Sequence, residues 1–150
     1  MKNLKIGFVI SMYDEIDIVN HSISCFKKNK CKVVVIQSNP GNKEKEVDSN
    51  QCDKYDMLPD VTGGKENYLK MREKDGTDQP YIMGAIAIPR NYNKGFNLMK
   101  SMDLDYVVGI NGDTKITNLI GIKKIIKKMK ELEKIIACTR YIGFITFDEQ

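Results

Sequence analysis

Ile6-Gly7-Phe8-Val9-Ile10-Ser11-Met12 is a continuous apolar run containing β-branched residues. Its lack of polar alternation predicts a strand covered on both faces. Tyr13-Asp14-Glu15 ends the run. Apolar residues then recur at Ile16, Val19, Ile23 and Phe26, the spacing of one helix face. Asp14 is the expected N-cap. Positive charge at 27–30 suits the negative end of the helix dipole. Val33-Val34-Val35-Ile36 is a second buried strand, closed by the turn formers Gln37-Ser38-Asn39-Pro40-Gly41-Asn42. Strand, helix and strand within about forty residues make a βαβ unit, which is expected to be parallel and right-handed. Buried parallel strands need helices on both faces, so the predicted fold is α/β, a Rossmann-like three-layer α/β/α sandwich with a mostly parallel sheet.

Working outward, the middle of the chain is weaker. Residues 55–58 read as a short strand stopped by Pro59. Residues 61–79 read as a loop, with a helical turn or two over 65–73. Gly63-Gly64-Lys65 lacks the GxxxxGK[ST] spacing of a phosphate-binding loop. The apolar stretch 82–88 is closed by Pro89. From Asn91 the pattern is helical, with Tyr92, Phe96, Met99 and Met102 on one face. Residues 105–110 are a third clear strand, and Asn111-Gly112-Asp113-Thr114 is its polar end. A helix is expected over 117–134, with Ile122, Ile125, Ile126, Met129 and Leu132 inside. Its outer face is very basic over 123–134, read either as a solvated face or as a contact with an anionic membrane surface. One or two strands are expected over 135–147.

The 150 residues suggest a single domain spanning 1–150. Net charge is +4, from 24 basic and 20 acidic residues. That excess suits an anionic small ligand and does not call for nucleic acid. The cysteines Cys25, Cys31, Cys52 and Cys138 have no CxxC spacing, and they read as inert thiols of a reducing compartment. His21, the only histidine, falls inside the first helix and reads as an ordinary helix residue. The N-terminal apolar run is too short for a signal peptide, so a cytoplasmic location is expected.

In open α/β sheets, ligands bind beyond the carboxyl ends of the strands. Three polar strand ends should therefore converge: Tyr13-Asp14-Glu15, Gln37-Ser38-Asn39 and Asn111-Gly112-Asp113. A nucleoside diphosphate carries clustered negative charge, and a divalent cation held by a carboxylate can bridge it to the protein. Asp113 offers such a ligand at a rigid strand end. Gly112 lets the backbone turn and leaves room for phosphates. Asn111 can donate as well as accept. Asn-Gly-Asp is equally an ordinary turn sequence.

In this arrangement the sequence resembles the GT-A glycosyltransferases, especially those grouped as family 2. The matching pieces are Ile10-Ser11-Met12-Tyr13-Asp14-Glu15, the strand 33–39, Arg90-Asn91-Tyr92-Asn93-Lys94-Gly95-Phe96-Asn97, and Asp105-Tyr106-Val107-Val108-Gly109-Ile110-Asn111-Gly112-Asp113. They follow the family order across about residues 4–118. The resemblance implies that Met12 and Tyr13 flank the donor base and that Glu15 lies near base or ribose. It places Ser38 or Asn39 where the family reads the base with an acidic residue. Arg90 or Lys94 would approach the diphosphate, Asn93 would line the site, and Asp113 would ligate Mn²⁺ or Mg²⁺. Asn111 stands where the first Asp of an Asp-x-Asp motif is usual, and Tyr92 where Arg is usual. The implied activity is transfer of a hexosyl or related sugar from a nucleotide-diphosphate donor, a UDP-sugar first, to a hydroxyl acceptor on glycan, lipid or protein. The implied setting is cytoplasmic, extending to the inner membrane face through the basic helix, with homo-oligomers among the expected partners. The family's general base and acceptor residues lie further along than this chain extends. Two other readings stand beside the enzyme: a nucleotide-sugar-binding module without turnover, and an unrelated Rossmann-like nucleotide binder.

Overall fold

The computed structural model describes residues 4–13, 15–38, 47, 49–59, 66, 70, 73–74 and 87–133. Its element order is β1 (Ile6–Met12), α1 (Ile16–Lys28), β2 (Lys32–Ser38), a 3₁₀ turn (Ser49–Gln51), β3 (Lys54–Leu58), α2 (Ile88–Met99), β4 (Tyr106–Asn111) and α3 (Ile120–Glu131). The four strands form one sheet in the order β3-β2-β1-β4. Every pairing is parallel, as the βαβ reading requires. β1 is buried along its whole length.

The two faces of the sheet divide the core. Phe8, Ile10, Val33, Val35, Val108 and Ile110 pack with Val19, Ile23 and Phe26 of α1 and with Ile122 and Ile126 of α3. Phe8 and Phe26 stack with ring centroids 3.8 Å apart. On the opposite face Val9, Val34 and Ile36 pack with Tyr92 and Met99 of α2. Successive strand residues point to opposite faces, so an unbroken apolar run fills both clusters. α2 lies very close to β1 because residue 95 is glycine. A Cβ there would collide with the Val9 side chain.

Helix boundaries depart from the sequence reading in instructive ways. α1 has Glu15 at its N-cap position and no side-chain cap bond, while Asp14 lies outside the described residues. Its C-terminus closes with Lys30 N donating to Lys27 O (2.9 Å) and Cys31 N to Phe26 O (3.0 Å), with Lys30 at φ 58°. That is the Schellman pattern, here with lysine instead of glycine in the left-handed position. α2 begins at Ile88, before the expected start at Asn91, because Pro89 sits in the first turn, where its missing N–H costs nothing. α3 spans only Ile120–Glu131, against the expected 117–134, and Leu132 is exposed rather than inside. Residues 114–119 are instead an irregular segment whose Ile116 and Leu119 are buried.

Within the expected loop 61–79, Glu66, Lys70, Glu73 and Lys74 are helical, and Lys70 pairs with Glu66 at 2.9 Å. The rest of that loop, the stretch 82–86, the expected strands at 135–147, Cys138 and Asn39 lie outside the described residues. Cys25 and Cys31 are free thiols, and burial pushes that of Cys31 up. No helix among the described residues is long and apolar enough to cross a membrane.

Candidate functional site

Strand order decides where a ligand can sit. The chain goes from β1 to β2 on one side of β1, and β4 arrives on the other side. The C-terminal ends of β1 and β4 therefore flank the switch point, where open α/β sheets leave a crevice. The register pairs Ser11 with Asn111, so the polar ends of the two strands lie side by side. Met12, Tyr13, Glu15, Asn111, Gly112 and Asp113 line this crevice, with Ala87, Ile88, Asn91 and Ser11 on its floor and flank.

The Asn111–Thr114 turn is tied from three directions. Thr114 N donates to Asn111 O (3.0 Å), and Gly112 N donates to Ser11 O (2.7 Å), continuing the ladder to β1. Tyr92 of α2 donates its hydroxyl to Asn111 Oδ1 at 2.7 Å. Burial, and then the negative charge of Asp113, push the Tyr92 phenol well above its usual range, so it remains a donor. From α1, the buried Ser22 hydroxyl donates to Thr114 O (3.3 Å) and accepts from Ile116 N (3.0 Å). Asn111 therefore spends its acceptor oxygen on positioning the turn. Gly112 is needed for room rather than for a left-handed backbone. A Cβ there would lie 2.7 Å from Glu15 Oε2 and 2.8 Å from Met12 Cβ. The same Glu15 oxygen accepts from Tyr13 N at 2.9 Å, which closes the β1 loop against the turn.

A second polar layer lies beneath the strand ends. Asn91 of α2 is 1 % exposed. Its Nδ2 donates to Ser11 Oγ (3.2 Å) and Ser38 Oγ (3.0 Å), while Ser38 Oγ donates to Asn91 Oδ1 (3.2 Å). One carboxamide thus joins α2 to the ends of both β1 and β2. Tyr55 of β3 donates to Gln37 Oε1 (2.7 Å), and Gln37 Nε2 donates to Tyr13 O (3.0 Å), which anchors the β1 loop to the other side of the sheet.

Of the residues singled out from sequence, the structure brings together Met12, Tyr13, Glu15, Asn111, Gly112 and Asp113. Ser38 is fully buried and faces Asn91 instead of the crevice. Arg90 stays at the strand ends, donating to Pro59 O (2.6 Å) with Ser38 Oγ at 3.5 Å. Lys94 turns away to pair with Asp56 on β3 at 3.0 Å. Asn93 is exposed and does not line the crevice. Ser11, Asn91 and the Tyr92 hydroxyl are the contributors that sequence reading missed. Ser11 carried a signal, as the one hydroxyl within an apolar strand. Asn91 carried another, as a carboxamide that the helical pattern assigned no role.

The described lining of the crevice holds two carboxylates, Glu15 and Asp113, and no basic side chain. The described residues contain no group of three or more histidine, cysteine or acidic side chains placed to hold a metal. A cation here would take at most these two carboxylates from the described chain. That donor set fits Mg²⁺ or Mn²⁺ completed by water and ligand phosphates, since Mg²⁺ is commonly held by one or two carboxylates plus substrate phosphates. The crevice is partly open, and its volume is only about 60 Å³, the share of about two water molecules. It can seat an ion or a small polar group, with the bulk of any ligand lying across the open strand ends.

A much larger cavity of about 560 Å³ lies elsewhere, between α1 and the segment entering α3. Size alone would favour it. The crevice, in contrast, stands at the switch point of the sheet and carries the rigid turn with its carboxylate. No family model matches the chain, and no curated protein or solved structure is significantly similar to it.

Proposed function

We propose that this chain binds a nucleotide-diphosphate sugar through a divalent cation at the β1–β4 crevice, as the donor-binding part of a glycosyltransferase. The observation that carries the reading is the charge of the crevice. Two carboxylates without a base repel a diphosphate, and a bridging cation reverses the sign of that interaction. Asp113, on its fixed turn, would hold Mn²⁺ or Mg²⁺, with Glu15 beside it. When bound, the metal would supply charge stabilisation to a departing diphosphate. The chain's own part is positioning. Tyr92 and Ser22 hold the turn, Gly112 keeps the approach open, and Tyr13 presents a ring beside the crevice for a base. Arg90, held at Pro59 O beyond β3, would have to leave that carbonyl to serve the diphosphate. The acceptor is proposed as a hydroxyl.

Titration of UDP-, GDP- and dTDP-sugars with and without Mn²⁺, followed by calorimetry, tests this. Metal-dependent binding is expected, strongest for a UDP-sugar, and weakened about tenfold or more by Asp113→Ala. Unchanged metal-dependent binding in that variant would remove Asp113 from the site. Absence of binding by any nucleotide sugar would refute the reading. A parallel assay for sugar release or transfer separates an enzyme from a binding module.

A further inference from the structure

We propose that the cavity between α1 and the segment entering α3 is a second, separate ligand site, for a small phosphorylated polyol. It is a groove open to solvent on one side, with His21, Lys28 and Lys123 exposed, and its volume of about 560 Å³ falls within the range of about 300–1,000 Å³ typical of small-ligand sites. Its described lining contains the bases His21, Lys28 and Lys123, several carboxamides and hydroxyls, and no carboxylate. The two lysines are also without an ion-pair partner among the described residues. Lys27 and Lys32, their neighbours along the chain and the sheet, are both bound to Asp53, at 2.7 and 2.8 Å.

The surrounding field has the same sign. α3 carries five lysines and one glutamate, a net charge equal to that of the whole chain. The excess positive charge of the protein is therefore concentrated on this helix, which raises the local concentration of anions. The cavity lies at the N-terminal end of α3, whose first turn has no acidic side chain. Among the described residues, a side chain caps only the Ile120 N–H, through Asn118 Oδ1 at 3.0 Å. The free end of the helix dipole adds to the pull of the lysines.

The hydroxyl-bearing part of the ligand follows from the uncharged lining. Asn20 and Asn118 carry carboxamide N–H donors, and Ser24, whose own proton goes to Asn20 O at 3.0 Å, can accept, which suits sugar or polyol hydroxyls. Asn20 Oδ1 is closed off from solvent and has no donor among the described residues. Rotation of that carboxamide toward a ligand hydroxyl would supply one. The site shares no lining residue with the β1–β4 crevice, so it stands or falls independently of the nucleotide reading.

His21 is the only histidine in the chain, and it lines this cavity, so its imidazole signals in ¹H–¹³C NMR report the site directly. The full chain is titrated with glucose 6-phosphate, glucose, inorganic phosphate and sulfate, at constant ionic strength with a chelator present. Glucose 6-phosphate is expected to give a saturating His21 shift at lower concentration than inorganic phosphate, with glucose and sulfate giving none. The Lys28→Ala/Lys123→Ala pair should weaken that response by about tenfold or more at an unchanged thermal midpoint. Lys124→Ala, outside the cavity, and Asp113→Ala, in the crevice, should leave it intact. Co-sedimentation with phosphatidylcholine vesicles containing phosphatidylinositol 4-phosphate, lost in the same lysine pair, would assign the phosphate to a lipid headgroup rather than a soluble ligand. A His21 response that does not saturate, that sulfate reproduces, or that survives in the double variant, together with no lysine-dependent sedimentation, overturns the proposal.

Discussion

Replacing Asn91 with alanine would break the one carboxamide that joins α2 to the ends of β1 and β2. Two serine hydroxyls depend on it: Ser11 is 5 % exposed and Ser38 fully buried. A buried polar group left without a partner costs about 1–3 kcal/mol. Among the described residues the Ser38 hydroxyl would keep only Arg90 Nη2 at 3.5 Å, the outer limit of a useful bond. The approach of Asn91 Nδ2 to Ile36 O, also 3.5 Å, is equally weak. Water entering the vacated space near the crevice would recover part of the loss. The expected cost is therefore about 2–4 kcal/mol, a large share of the about 5–15 kcal/mol that holds a domain together. The chain has no tryptophan, so urea unfolding is best followed by far-UV circular dichroism. A cycle with Ser38→Ala should give a coupling energy of about 1 kcal/mol or more, because the second substitution removes a group already orphaned by the first. A loss below about 1 kcal/mol for Asn91→Ala, or strict additivity in the cycle, would refute the claim that this network holds the strand ends.

Gly95→Ala should destabilise the chain by about 1–3 kcal/mol despite alanine's better helix propensity, because the new Cβ would collide with Val9 between α2 and β1. The same unfolding measurement checks it, and a stabilised variant would show that α2 is not packed this closely. Burial opposes ionisation of Asp53, but hydrogen bonds from Lys27, Lys32 and the Val33 N–H outweigh it and hold the carboxyl at about 2, below its ordinary 3.8. Because the folded value is the lower one, this contribution is complete above pH 4–5 and is lost as pH falls toward 2. It amounts to at most about 2 kcal/mol, and about half that once solvent screening of the exposed lysines is allowed for. Asp53→Asn should therefore lose about 1 kcal/mol at pH 7 and converge on the parent as pH falls through 2; a deficit that does not shrink over that range would contradict the assignment.

Much of this architecture was legible from local pattern. An unbroken apolar run implies burial on two faces, and residues three and four apart share a helix face. β1, β2, β4 and the core faces of α1 and α2 follow from those periods. Strands of a βαβ unit run parallel, so the polar residues after β1 and β4 had to share one edge. Boundaries were less legible. The burial of Ile116 and Leu119 in an irregular segment, and the exposure of Leu132, depend on where the chain leaves the turn that Ser22 pins.

Tertiary structure alone decided which polar groups meet. Asn91 reaches Ser11 across 80 residues and Ser38 across 53, and neither contact exists until β1, β2 and α2 are placed together. It assigned Asn111 to Tyr92, sent Lys94 to Asp56, and neutralised Lys27 while leaving Lys28 without an ion-pair partner among the described residues. It also explained two glycines, at 95 and 112, by what lies against them. The physical reason is one of range. Hydrophobic periodicity is a property of neighbouring residues and is written along the chain. A hydrogen bond or ion pair is a short-range interaction whose partners are chosen by strand order and register, which no single segment contains.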